Sequence, residues 1–262
     1  MGGALPKMGI GGFIVLLLLS FIFKRDFFAL VGGGAPAGAP AAQEAPVSAS
    51  PEEEKLVEFV NYVLVDTEET WTQIFTASGQ TYQPPKLFLF RDSVRSGCGF
   101  AEAAMGPFYC PADGRVYIDL AFYEELRSRF GANGDFAQAY VIAHEIGHHV
   151  QNLLGISDEL RQAQEQNPGS ANELSVRLEL QADCFAGIWA HTTQKRDLLE
   201  AGDVEEALGA AAAVGDDRIQ QQSSGSVHPE SWTHGSSEQR MRWFRTGLES
   251  GDLKSCDTFA AQ

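Results

Sequence analysis

Apolar residues recur every three or four positions along several segments of the chain, the spacing that places side chains on one face of a helix. Leu56, Phe59, Val60 and Val63 form such a stripe. They predict a helix over residues 52–75, and the acidic residues in its first turn suit the positive end of the helix dipole.

Two short runs of the strand type follow this helix, at residues 87–90 and 116–120. From residue 121 onward the pattern is helical. One helix is predicted from Asp135 to near Gly155, and a second from Ser170, with Glu173 as its capping-box partner, to near Ala190. Two more are predicted to begin at Asp203, with Glu206 in the first turn, and at Ser236. A small sheet followed by several helices predicts an α+β fold.

The first part of the chain has a different pattern. Residues 8–23 contain Ser20 as their single polar residue, a run slightly short for a ~30 Å hydrocarbon core. Two interpretations stay open: residues 1–31 are a single-pass membrane anchor, or they are a signal segment cleaved among residues 35–42.

The stretch at residues 32–51 is rich in Gly, Ala and Pro and shows no apolar periodicity, which predicts a linker. Residues 52–262 are then expected to form one domain. The 262-residue chain carries a formal net charge of −16. Because so few basic residues are available to neutralise a phosphate backbone, the composition argues against nucleic-acid binding.

Four cysteines allow three disulfide pairings. We expect Cys98–Cys110, which closes a local loop, and Cys184–Cys256, which pairs the other two. An even number of cysteines behind an export segment is typical of an oxidising compartment and favours a domain outside the cytoplasm. Four buried free thiols in a cytosolic protein are the alternative.

The candidate chemistry lies in the sequence His144-Glu145-Ile146-Gly147-His148. Residues four apart in a helix project from the same face, so both imidazoles can bind one metal ion. Glu145 is rotated about 100° from His144, as 3.6 residues per turn require, and can reach a water on the ion. The pattern is typical of zinc metallopeptidases, in which this glutamate is the general base.

A catalytic zinc needs a third protein ligand and one open position. Glu179 is our candidate ligand, because it shares a small, acidic helix face with Asp183, one turn further on. Asp183 is then expected to accept the outer N–H of a ligand histidine and to fix its tautomer. A solvated acidic helix face is the alternative interpretation of this pair.

Several segments resemble the bacterial neutral zinc metallopeptidase family over nearly all of residues 52–262. They are CGFAEAAMGPFYCPADGRVYIDLAFY, VIAHEIGHHVQ, RLELQADCFAGIW, THGSSEQRMRWF and the terminal SCDTF. The order of HExxH followed by ExxAD is also similar to the gluzincin group, which implies a zincin-like fold. By position, the resemblance implies that Glu179 is the third zinc ligand and that Asp183 supports a ligand from behind. It also implies a functional role for the THG segment.

His234 in that segment is our first choice as a donor to the oxyanion, and His228 is the second. His149 is displaced by one residue from His148 and is expected to be structural. We expect His191, placed beyond the end of its helix, to be a surface residue or a cation at the helix terminus.

The expected activity is zinc-dependent hydrolysis of peptide bonds in a peptide or protein substrate, with Glu145 and His234 as catalytic residues. Membrane association is expected through the N-terminal segment, with the catalytic domain outside the cytoplasm, or secretion after cleavage. Two alternatives remain: a catalytically silent zinc-binding scaffold or partner-binding protein of the cell envelope, and a tethered interaction domain with core histidines.

Overall fold

A computed structural model describes residues 50–102, 106–128 and 131–260. It confirms an α+β fold that is mostly helical with a small sheet. The helices in this part of the chain are α1 (Pro51–Ala77), α2 (Phe122–Ser128), α3 (Asp135–Leu153), α4 (Ile156–Gln166), α5 (Ala171–Lys195), α6 (Asp203–Ala213), α7 (Asp216–Ser224) and α8 (Ser237–Ser250). Short 3₁₀ turns occur at Pro168–Ser170, Pro229–Ser231 and Leu253–Cys256.

The strands are β1 (Lys86–Phe90), β2 (Ser93–Ser96), β3 (Gly99–Glu102), β4 (Phe108–Cys110) and β5 (Arg115–Asp119). Three of them form a sheet in the order β1-β5-β4, in which β1 is parallel and β4 antiparallel to β5. The β2–β3 pair forms a separate antiparallel hairpin. The sequence predicted β1 and β5, whose apolar runs are clear, and missed the three other strands.

The N-terminus of α1 is fixed by a capping box that the apolar pattern did not reveal. The Ser50 hydroxyl accepts a hydrogen bond from the Glu53 backbone N–H, and the Glu53 carboxylate accepts one from the Ser50 N–H. Both bonds satisfy donors that a helix start leaves without partners. The helix therefore begins at Pro51, and its predicted span of 52–75 is one to two residues short at each end.

The helix starts at α3 and α5 differ in detail from the prediction. Gly134 is the N-cap of α3 and Asp135 is its first residue. Ser170 precedes α5 without capping it through its side chain, and Glu173 instead binds Arg177 one turn later. Side-chain caps compete with other local partners, which is why the capping-box pattern was wrong here.

The end of α5 and two whole helices also differ from the prediction. Helix α5 continues to Lys195, five residues past the predicted end. Helices α4 and α7 are strongly polar, with Ile156 and Leu160 as the large apolar side chains of α4 and Ile219 as that of α7, too few for the longer apolar stripe on which the prediction relied. The predicted cap at Ser236, in contrast, is present, and its hydroxyl accepts from the Gln239 N–H.

The described residues form one compact unit, in which α5 packs against both α3 and α8. Glycines allow both close approaches. A Cβ on Gly147 of α3 would lie 2.9 Å from the Ala182 carbonyl oxygen, and one on Gly247 of α8 would overlap the Cys184 carbonyl. Close packing of these three helices brings the chemistry of three separate segments together.

Two disulfide bonds close the chain in the pairing expected from the sequence. Cys98, in the β2–β3 turn, bonds to Cys110 at the end of β4, with Cα atoms 5.8 Å apart. Cys184 in α5 bonds to Cys256 in the last 3₁₀ turn, with Cα atoms 5.6 Å apart. Both distances are normal for disulfides.

The predicted anchor or signal segment at residues 1–31, and the linker except for its last two residues, lie outside the described residues. Among the helices that the structure describes, none has the length and apolar character needed to cross a membrane. The assignment of the N-terminal segment stays a prediction.

Candidate metal centre

Three side chains from two helices converge at the centre of the domain. His144 and His148 lie one turn apart on α3, and Glu179 faces them from α5. The His144 and His148 Nε2 atoms are 3.2 Å apart. Glu179 places Oε2 at 3.1 Å from the His144 Nε2 and Oε1 at 3.4 Å from the His148 Nε2.

These distances test whether a zinc ion fits. A tetrahedral zinc with bonds of about 2.0–2.1 Å to nitrogen and oxygen requires ligand atoms roughly 3.3 Å apart. The separation of the two Nε2 atoms and that of the His144 Nε2 from Glu179 Oε2 lie close to that value, and the other oxygen of the same carboxylate is 3.4 Å from the His148 Nε2. Two imidazole nitrogens and one carboxylate, with space on the remaining side, are also the donor set of catalytic rather than closed structural zinc sites. The residues present therefore fit Zn²⁺.

The outer nitrogen of His144 contacts a buried carboxylate. His144 Nδ1 lies 2.8 Å from Asp183 Oδ1, and Asp183 is fully buried. The hydroxyl of Tyr140 donates to the same oxygen. With Asp183 ionised, His144 carries its proton on Nδ1 and directs the lone pair of Nε2 toward the ion position.

Arg240 of α8 compensates the charge of Asp183. Its Nε donates to Asp183 Oδ2 at 2.8 Å and its Nη2 donates to Oδ1 at 2.9 Å. Burial acts to raise the pKa of Asp183, but the charge of Arg240 and the hydrogen bonds from His144 and Arg240 lower it to about 2. The carboxylate is therefore ionised across the physiological pH range.

The outer nitrogen of His148 has a neutral partner instead. His148 Nδ1 lies 2.9 Å from the Oε1 of Gln151 on the same helix. The two histidines are thus oriented by different groups, His144 by a carboxylate from α5 and His148 by an amide from α3.

A cleft of about 730 Å³ opens in front of these ligands. Its wall includes His144, His148 and Glu179, and Glu145 lies beside them with 7% of its surface exposed. Residues 106–109, which include the start of β4, form another part of the wall. The Glu145 carboxylate, the three candidate ligands and the edge of β4 therefore line the same cleft.

His234 lies in the same cleft wall, in the loop before α8. Asp216, the first residue of α7, fixes this loop, because its Oδ2 accepts from the backbone N–H groups of Thr233, His234 and Gly235 at 2.7–3.0 Å. Asp216 Oδ1 also lies 3.3 Å from His234 Nδ1. This contact raises the pKa of His234, whose side chain is half-exposed.

The remaining histidines lie elsewhere. His228 is exposed beside Glu230 and is absent from the cleft wall. His149 is buried, with Nε2 2.6 Å from the Gln83 carbonyl and Nδ1 3.1 Å from the Tyr109 hydroxyl. His191 lies inside α5 rather than beyond its end, and its Nδ1 contacts the Leu248 carbonyl. The prediction of an exposed or terminal His191 was wrong, because α5 is longer than expected.

Sequence reasoning missed four polar residues around the site: Arg240, Asp216, Gln151 and Gln181. Each is largely buried. A weak signal existed for Arg240, because it occupies the same helix face as Phe244 and Gly247, where a charge has to find a buried partner. No local pattern distinguishes the two glutamines from the many solvated ones in the chain.

The fold and this geometry define an α+β domain with a candidate metal centre, in which one helix carries HExxH and a later helix supplies a glutamate. The chain belongs to the family described as "Putative neutral zinc metallopeptidase", whose model matches residues 1–259. The predicted family is therefore confirmed.

The relatives of the chain are similar over much of their length. An uncharacterized protein of Escherichia coli K12, YpfJ, is 51% identical over 97% of this chain and 91% of its own length. Uncharacterized proteins of Mycobacterium bovis (Mb2605) and Mycobacterium tuberculosis (Rv2575) are 50% identical over 69% of this chain and 64% of theirs. No solved structure gives a significant match.

Proposed function

We propose that the protein is a zinc-dependent metallopeptidase, with Zn²⁺ held by His144, His148 and Glu179 and with Glu145 as general base. The observation that carries the proposal is the convergence of the three ligand atoms, at separations suited to zinc, in the wall of a cleft that also contains Glu145. A site that only holds a metal has no use for an additional carboxylate at this position.

Zn²⁺ bound here supplies a Lewis acid that polarises a carbonyl group and lowers the pKa of water. Glu145 takes a proton from the attacking water and passes it to the leaving amine. His234 donates a hydrogen bond to the carbonyl oxygen as negative charge develops on it. Its place on a loop held by three hydrogen bonds to Asp216 supports this role, because a donor in a fixed position costs little reorganisation.

An extended polypeptide is the substrate shape that the cleft favours. Within the described sheet, β4 pairs with β5 on one side, and its residues Phe108 and Tyr109 line the cleft. Such an edge can pair with the backbone of a peptide through main-chain hydrogen bonds. The Cys98–Cys110 disulfide holds the end of this strand.

We also propose that the domain works outside the cytoplasm, tethered by the N-terminal segment or released after its cleavage. Two disulfides support this location, because such bonds persist in oxidising compartments. A reporter enzyme that is active only outside the cytoplasm, fused after Gln262, should be active. Activity confined to a fusion with a reporter that works only in the cytoplasm would contradict the proposal.

The activity test uses the full-length chain purified in a mild detergent. Bound zinc and cleavage of a peptide library are measured for the wild type, for Glu145→Gln, and for Glu159→Gln as a control at an exposed position on α4. We expect zinc in all three proteins and cleavage in the wild type and Glu159→Gln alone. Zinc without cleavage in any protein would favour the silent scaffold, and absence of zinc would overturn the ligand assignment.

A further inference from the structure

The imidazole of His148 can bind a metal through Nε2 only when its proton is on Nδ1. The partner of Nδ1 is Gln151 Oε1, at 2.9 Å. An amide group can accept or donate according to which way it is turned, so Gln151 helps to fix the proton only if its oxygen faces the histidine.

The other contacts of Gln151 decide this orientation. Its Nε2 lies 2.7 Å from the backbone carbonyl of Leu178, a group that only accepts. It also lies 3.1 Å from Oε1 of Gln181. Gln151 is fully buried, and turning its amide over would place an oxygen against two oxygens without water to separate them. Its Oε1 is therefore held toward His148.

The orientation of the Gln181 amide is fixed in the same way. Its Nε2 donates to the backbone carbonyl of Cys256 at 3.0 Å, which leaves Oε1 to accept from Gln151. Gln181 is 6% exposed and Cys256 is fully buried. Cys256 is bonded to Cys184, three residues beyond Gln181 on α5. The acceptor at the far end of the chain of hydrogen bonds is thus held covalently to the helix that carries Glu179.

We propose that Gln151 and Gln181 are positioning residues that set the tautomer of His148 through a directed chain of hydrogen bonds ending at the Cys256 carbonyl. The inference rests on the proposed metal centre, and it makes the disulfide-bonded C-terminal turn a part of that centre. Neither glutamine is one of the three candidate ligands, so both act through the groups that they contact, which for Gln151 are His148 and the α5 backbone at Leu178.

The consequence for metal binding follows from the cost of the wrong tautomer. Without Gln151, the Nδ1–H of His148 loses its buried acceptor, and the tautomer with the proton on Nε2, which blocks the ligand atom, becomes competitive. Loss of a group that supports a ligand histidine typically weakens metal affinity about 10- to 100-fold. Loss of Gln181 leaves Gln151 held by Leu178 alone, so the effect should be smaller.

The test measures zinc dissociation constants by chelator competition on the full-length chain for Gln151→Met, Gln181→Met and the double variant. Gln164→Met is the matched control, because Gln164 is a partly buried amide bonded to Ala171 and Ser175 and not to a histidine. We expect at least ~10-fold weaker binding for Gln151→Met, a smaller loss for Gln181→Met, and no change for the control. The double variant should bind zinc no more weakly than Gln151→Met, because both residues act along one route.

Histidine ¹⁵N NMR supplies a readout that needs no activity, and its wild-type result does not depend on any variant. We expect His148 to carry its proton on Nδ1 in the metal-free protein at a pH where the ring is neutral, and to lose this preference in Gln151→Met. A wild-type His148 protonated on Nε2, or unchanged zinc affinity in Gln151→Met, would overturn the inference. A wild type that binds no zinc but shows the Nδ1 proton would leave the inference standing and remove the proposed function.

Discussion

Arg240 binds both oxygens of the Asp183 carboxylate in the interior of the domain, through Nε at 2.8 Å and Nη2 at 2.9 Å. The side chains of the two residues are 4% and 0% exposed. Asp183 in turn contacts the outer nitrogen of His144. Arg240 therefore supports this candidate metal ligand through Asp183.

Replacing Arg240 with Met is expected to destabilise the protein strongly, because it leaves the buried Asp183 charge without its cation. Breaking one side of a buried ion pair typically costs about 3–5 kcal/mol. Urea unfolding of the variant measures the cost. Arg127→Met is the control, since Arg127 pairs with Glu124 at an exposed position and should change stability by less than about 1 kcal/mol. Equal effects of the two substitutions would contradict a special role for Arg240.

Adding a methyl group at Gly147 should separate the two helices that carry the ligands. An alanine Cβ there would lie 2.9 Å from the Ala182 backbone oxygen and 3.1 Å from its Cα, and backbone atoms cannot move aside without shifting α5. We expect Gly147→Ala to weaken zinc binding and lower the thermal unfolding temperature.

Gly209→Ala is the matched control for this substitution. Gly209 lies inside α6, and a Cβ added there would meet no group from outside its own helix within 4 Å. Alanine is favoured over glycine within a helix by about 1 kcal/mol. The control should therefore keep or raise the unfolding temperature, and a loss equal to that of Gly147→Ala would argue against the close-contact explanation.

The two disulfides are expected to affect different steps. Replacing Cys184 and Cys256 with Ala should weaken zinc binding, since the Cys256 carbonyl ends the hydrogen-bond chain to His148. Replacing Cys98 and Cys110 should instead raise KM, because β4 forms part of the cleft wall. Zinc affinity and KM are measured for both double variants. If the two double variants changed zinc affinity and KM to the same extent, the result would indicate a general loosening of the fold.

The contact between Asp216 and His234 gives a pH-dependent contribution to stability with two limits. Burial acts to raise the pKa of Asp216, but hydrogen bonds from His234 lower it overall. Asp216 therefore stabilises the fold fully above its pKa in the unfolded chain, and this stabilisation is lost as the pH falls through its lower pKa in the folded protein. The pKa of His234 is raised in the folded protein. His234 therefore stabilises the fold fully below its unfolded-state pKa of about 6.5, and this stabilisation is lost as the pH rises through its higher pKa in the folded protein.

We therefore expect the wild type to exceed Asp216→Asn in stability most clearly between about pH 4 and 6.5, with a smaller difference on either side. Glu179 also raises the pKa of His234, and Arg240 also lowers it, so these two effects should persist in Asp216→Asn. Urea unfolding at several pH values and NMR titration of His234 measure both effects. An unchanged His234 pKa in Asp216→Asn would contradict the assigned contact.

Local sequence determined the parts of the site that lie within one helix. His144 and His148 share a face because four residues make about one turn, and Ser236 caps α8 because its partner Gln239 is three residues away. Glu179 was chosen from the small, acidic character of its helix face and from a family resemblance. In each case the signal lies within a few residues, where backbone geometry alone fixes the relation between side chains.

Only the tertiary structure decided which distant groups support those residues. Arg240, Asp216 and Gln181 make their decisive contacts across separations of 17 to 75 residues. Apart from the weak signal at Arg240, no periodic pattern separates these side chains from solvated ones. Arg240 and Gln181 find their partners because α5 packs closely against α3 and α8, and Asp216 finds its partners where the start of α7 meets the loop before α8. The exclusion of water at these contacts obliges each buried polar atom to find an acceptor or donor within the protein.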